Sequence, residues 1–194
     1  MTRKKLVRDD LLYHSAHGLC CVDRVTKESH SGKETFSYAL VPKAGSRMKV
    51  RFVISESDME VSGFHPLISQ EEANKILAYL KAGDISAGPP DKYPKSASPS
   101  PVEHENHPWG LAKGILTFSQ HEPEIRDQKK RQILERSARG LVGEFALVFK
   151  ATVKESSAQI LKSLGRSKIN PAVLDALEEA GRKFSFESSV TNGR

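Results

Sequence analysis

Four side chains able to hold a soft metal ion fall within eight positions, in the run His14-Ser15-Ala16-His17-Gly18-Leu19-Cys20-Cys21. Imidazole nitrogen and thiolate sulfur are both good zinc ligands, so a small metal-binding enzyme built on His14, His17, Cys20 and Cys21 is one reading. The spacing follows no standard zinc pattern, however. If the run is a strand, a glycine turn and a second strand, adjacent side chains point to opposite faces and Cys20 and Cys21 cannot reach one ion. The competing reading makes the cysteines small buried hydrophobes, and adjacent cysteines do not easily close an ordinary disulfide. His104 and His107, beside Glu103 and Glu105, repeat the His-x-x-His spacing in a stretch with nothing rigid to orient them. The expectation is therefore no metal, no cofactor and no small-molecule substrate.

Catalysis has no visible address either. The chain contains no G-x-x-x-x-G-K-[ST], no G-x-S-x-G and no H-E-x-x-H, which would supply a phosphate cradle, a strained nucleophile or a zinc pair with its base. What does cluster is positive charge: Arg126, Lys129, Lys130, Arg131, Arg136 and Arg139 occupy one helical stretch, with Lys113 on the segment before it. Such a group can meet DNA phosphates. It can equally be a solvated face laced with i,i+4 pairs, here Asp127 with Arg131 and Glu135 with Arg139. Trp109, the only tryptophan, follows Pro108 at the start of this region. It is either an aromatic wedge against an unstacked base step or a core anchor beside Ile115 and Leu116.

The elements that must position these residues change character along the chain. From Asp9 to about Val61, short runs rich in strand formers alternate with turn residues: 11–13, 19–22, 36–41 and 48–53, separated at Gly18, Ser31-Gly32-Lys33 and Ala44-Gly45-Ser46. Met48, Val50 and Phe52 alternate with Lys49 and Arg51, which predicts a half-buried strand with the two cations on one face. Strands this short and close together predict a small barrel or curled sheet. Ser69-Gln70-Glu71-Glu72 is a capping box opening a helix through Ala73, Ile76, Leu77 and Leu80 to Gly83, expected to close the first domain. Residues 85–108 are rich in Pro, Ser and Lys and poor in large apolar side chains, as linkers are. From 109 the periodicity is helical: Trp109 to Phe118, Ile133 to Val148, Ala158 to Leu164, and a last helix from Asn170-Pro171 that Gly181 should stop. The class is α+β in two domains, 1–84 and 109–184, with a linker at 85–108 and a disordered tail at 185–194.

The chain has 194 residues and a net charge of +6. By segment the balance is +2 over 1–84, −1 over 85–108 and +5 over 109–194, so the excess sits in the helical half. Clustered Lys and Arg favour a nucleic acid or an acidic protein surface as partner. No apolar run approaches the roughly 20 residues of a membrane span, and the basic N-terminus leads into no apolar core of a signal peptide. A cytoplasmic protein with no membrane partner is expected.

The sequence resembles the CarD family of RNA polymerase-binding transcription regulators, whose N-terminal domain is shared with the transcription-repair coupling factor. Residues 9–22, Asp9-Asp10-Leu11-Leu12-Tyr13 through Val22, resemble the family's opening strand and His-Gly turn, with Arg8 and His14 at positions where the family usually has Gly and Pro. Residues 36–41 and 48–53 are similar to its next two strands, and His65-Pro66-Leu67-Ile68-Ser69 leads to its helix. Residues 129–146 resemble its long helix with the Glu-apolar-Ala ending, and 154–164 the helix after it. The resemblance covers 7–83 and 109–164, and the order of the parts carries it.

The resemblance implies a Tudor-like or SH3-like β barrel at the N-terminus that binds the polymerase β subunit, with Arg51 on a basic position used for that contact and Lys49 beside it. It also implies an all-α, helical-bundle domain that meets the promoter DNA backbone near the upstream edge of the bubble. Trp109, Lys113, Lys129, Lys130, Arg131, Arg136 and Arg139 are the DNA-facing candidates. The implied activity is bacterial transcription regulation without catalysis, by changing the stability of the open promoter complex. A protein adaptor without DNA contact is the alternative.

Overall fold

A computed structural model of the chain describes residues 5–30, 33–43, 50–59, 61–85, 106–121, 127–165 and 169–183. Its architecture is α+β: the described residues form one antiparallel five-stranded sheet and five helices. They fall into two units, Met1–Leu67 and Ile68–Arg194.

The first unit is the sheet. Its strands are β1 (Leu11–His14), β2 (Gly18–His30), β3 (Lys33–Pro42), β4 (Phe52–Ser55) and β5 (His65–Pro66), in the order β4-β3-β2-β1-β5. Gly18, at φ 70°, takes the left-handed conformation that the β1–β2 turn requires. Pairing of Leu12 with Cys20 and of Val22 with Leu40 brings these four side chains into one core with Tyr38 and Phe64. Asp23 is an extra residue between Val22 and Arg24 in the β2–β3 ladder, a bulge that breaks the face alternation. Beyond it the hairpin continues to the pair His30 and Lys33 with mostly exposed polar side chains. That outer half of β2, Asp23 to His30, gives no alternating apolar signal in the sequence. The strand expected over 48–53 begins at Phe52, while residues 44–49 lie outside the described residues.

The second unit contains α1 (Gln70–Ala82), α2 (Pro108–His121), α3 (Gln128–Phe149), α4 (Val153–Leu164) and α5 (Pro171–Lys183). Ser69 caps α1 by accepting from the Glu72 N–H at 3.1 Å, and Gly83 closes it at φ 69°. The boundary expected after residue 84 falls instead between Leu67 and Ile68. The physical reason is burial: the apolar face of α1, Ala73, Ile76, Leu77 and Leu80, shares one core with Leu111, Ile115, Leu141, Phe145, Ile160 and Leu177. Glu144, fully buried, accepts the Ile68 N–H at 3.3 Å and so ties the entry of α1 to the middle of this unit. The linker region 86–105 and the tail from 184 lie outside the described residues.

Gly181, expected to end α5, lies inside it and is buried. A Cβ there would stand 3.1 Å from Ser157 Cβ and 3.6 Å from Lys154 Cα, so the glycine permits close approach of α5 to α4. Gly181→Val should therefore destabilise the second unit by about 1–3 kcal/mol through overpacking. Thermal unfolding followed by the emission of the single tryptophan, Trp109, would measure the loss.

Candidate functional site

The two cations expected on one strand face have different standing in the structure. Lys49 lies outside the described residues, and Arg51 is an exposed residue just before β4, outside the strand itself. The Arg51 guanidinium holds the carboxylate of the bulged Asp23 at 2.8 Å. With both partners in contact with solvent such a pair contributes only about 0–1 kcal/mol, so a partner carboxylate can exchange for it at little cost. Among the described residues β4 is an edge strand, paired only with β3, and its Val53 is 71% exposed.

On the helical unit the bland reading of the basic cluster fails in one respect. Neither Asp127 with Arg131 nor Glu135 with Arg139 forms an ion pair among the described residues. Asp127 is instead the N-cap of α3, accepting from the Lys129 N–H at 2.7 Å and the Lys130 N–H at 3.4 Å. Lys129, Lys130 and Arg131 are all exposed in a first turn that contains no acid. Cations at the positive end of a helix dipole each cost about 0.3–1 kcal/mol, which the Asp127 cap partly offsets. Lys113 on α2 and Arg139 on α3 are also exposed, on helices that pack against each other, with Gly114 against Ser137 at their crossing. Arg136 is half-buried and less available, while Arg126 lies outside the described residues.

Trp109 is the correction. It is 6% exposed, its ring meets Tyr79 edge-on with centroids 5.7 Å apart, and its indole N–H donates to Glu72 Oε1 at 3.1 Å. A side chain so placed anchors the core and is not presented to DNA. Glu72 therefore serves α2, and of the reciprocal pair in the expected capping box only the Ser69 half is made. Sequence reasoning missed Glu72 as a partner because 37 positions separate it from Trp109 and no local pattern links them.

The four residues first singled out do not converge. Cys20 is buried in the core between β1 and β3, whereas Cys21 is half-exposed and directs its Sγ towards Asp9 Oδ1 at 3.9 Å. His14 and His17 stack at 4.5 Å and carry on into rings: His14 meets Phe64 at 4.7 Å and His17 meets Phe52 at 4.4 Å. His14 Nδ1 accepts the Ala16 N–H at 3.0 Å, fixing the ring in the turn. Burial among these rings lowers the His17 pKa and favours its neutral form. Burial, and then the neighbouring Cys21, pushes the Cys20 thiol up to about 11.

No protein-family model matches the chain, and no curated protein matches it.

The Cys20 thiol should resist iodoacetamide in the folded protein at pH 8 and react only after denaturation, as peptide mass spectrometry would record. Because its folded pKa lies above the unfolded value of 9.0, the stabilisation it reflects is present below that value and is lost as pH rises from 9 towards 11. For Trp109, addition of duplex DNA should leave its emission maximum unchanged. Trp109→Phe should cost about 1–2 kcal/mol, from the lost hydrogen bond and reduced packing, as denaturant titration would measure.

Proposed function

We propose that the chain is a CarD-type transcription regulator: a non-enzymatic, cytoplasmic protein that docks on the β subunit of RNA polymerase and contacts promoter DNA without reading its sequence. The observation that carries this reading is the set of exposed cations on α2 and α3, Lys113, Lys129, Lys130, Arg131 and Arg139. The intrahelical ion pairs expected for Arg131 and Arg139 are not made. Cations in an acid-free first turn work against the helix dipole, and phosphate contact would repay that cost. In this reading the sheet is a Tudor-like barrel, the helices form a bundle, and Arg51 beside the edge strand β4 faces the polymerase. The resemblance in residues 9–22 and 129–146 supports the same assignment.

Regulation then needs no chemistry. A protein that binds the open promoter complex more tightly than the closed one shifts their ratio by its differential affinity, about tenfold for each 1.4 kcal/mol. Sequence specificity belongs to the polymerase, since phosphate contacts carry none.

Purified RNA polymerase should retain the wild-type protein, and Arg51→Glu should abolish retention at matched salt. Duplex DNA affinity should fall with salt, and reversing Lys129, Lys130 and Arg131 together should flatten that dependence by about one unit of slope per cation removed. No retention of the wild type overturns the polymerase reading. Retention with no salt-dependent DNA affinity replaces the DNA contact with a purely protein adaptor.

A further inference from the structure

The first unit carries a groove that neither Arg51 nor the helical cations explain. It lies between the segment Lys5–Arg8 and the outer half of the β2–β3 hairpin and encloses about 640 Å3, open to solvent. Its floor is apolar, made by Leu6, Val25 and Phe36, and its rim is cationic, made by Lys5, Arg8 and Arg24. Among the described residues the acid in its lining, Asp23, is engaged by Arg51 at 2.8 Å, and Glu34, close enough to feel the charge of Lys5, is paired with Lys27. Neither Arg8 nor Arg24 is in an ion pair among the described residues. The groove thus presents net positive charge over an apolar floor.

Its outer wall is anchored. Leu6 packs against the sheet core that contains Tyr38. The Val7 N–H donates to Asp10 Oδ2 at 2.8 Å. Asp9, at φ 72°, takes a left-handed conformation while its N–H donates to the Val22 carbonyl at 2.8 Å. That turn directs Lys5–Arg8 alongside the hairpin. The bulge at Asp23 sets the other wall, because it moves Arg24 and Val25 out of the alternation that buries Cys20 and Val22.

We propose that this groove binds a short acidic segment of a partner protein, with carboxylates on Arg8 and Arg24 and an apolar side chain between them on Leu6 and Val25, while Lys5 stays over the Phe36 ring. Arginine forks suit carboxylates, and the apolar floor adds a contact that a bare phosphate chain would not use. A single-stranded nucleic acid would need a free aromatic face for stacking, and Lys5 Nζ already stands 3.9 Å over the Phe36 ring. The inference does not rest on the polymerase assignment, since it specifies the chemistry of the ligand and not the protein that supplies it.

Fluorescence anisotropy with the full chain tests it, using a labelled peptide of Glu-Asp-Leu repeats, its Gln-Asn-Leu analogue and a labelled oligothymidine. The acidic peptide should bind, the neutral analogue should bind at least about tenfold more weakly, and Arg24→Glu and Arg8→Glu should each weaken the acidic peptide by about tenfold or more. Both changes are at exposed side chains, and Lys129→Glu with Lys130→Glu on the other unit should leave peptide binding unchanged. Absence of acidic-peptide binding, equal binding of the neutral analogue, or undiminished binding by both arginine variants would overturn the proposal. So would equal binding of oligothymidine that the same two variants abolish, which would make the groove a nucleic-acid site.

Discussion

One extra residue in the β2–β3 ladder governs the surface chemistry of the sheet. Before Asp23 the side chains of β2 alternate between core and solvent, which buries Cys20 and Val22. At Asp23 the alternation slips by one position, and a hairpin still held by paired backbone becomes mostly exposed on both faces. Three consequences share that origin: the Asp23 carboxylate stands where Arg51 reaches it, Arg24 turns to the groove rim, and Val25 joins the groove floor. Removing the extra residue, rather than shifting it along the strand, would exchange the two faces of β2 beyond it.

The second unit depends on burial of one face from each of five helices in a common core. Two polar side chains inside it decide how chain segments enter. Glu144 receives the Ile68 N–H at the start of α1, and Glu72 receives the Trp109 indole on α2. Buried or half-buried carboxylates are tolerated only when donors reach them, so these contacts specify geometry as well as contribute energy. With Trp109 committed to the core, the exposed cations Lys113 on α2 and Lys129, Lys130, Arg131 and Arg139 on α3 share the outward surface with Gln132 and Glu135.

Much of this was legible along the chain. The Ser69 cap and Gly83 stop of α1, the Asn170-Pro171 start of α5 and the buried stripe Leu134, Ala138, Leu141, Val142 and Phe145 all rest on interactions within a few residues, which local pattern encodes. The outer half of β2 was not legible, because past Val25 its described side chains are exposed polar groups that carry no apolar alternation, and the strand is held by backbone pairing to β3. Gly181 was misjudged for a related reason: a glycine that ends a helix and one that lets two helices touch look alike until the neighbour is known.

By itself, then, the sequence determined the α+β class, the charge excess of the helical half, the start and stop of α1, the start of α5 and the opposed faces of Cys20 and Cys21. Each follows from composition or from period, which are properties of adjacent residues. Tertiary structure alone decided that α1 belongs with the helices, that Trp109 is spent on Glu72 and Tyr79, that Asp127 caps α3 rather than pairing with Arg131, and that Lys5, Arg8 and Arg24 rim one groove. These are contacts between distant segments or choices among competing partners for one side chain. Such choices are settled by which surfaces are buried together, and no local spacing records that.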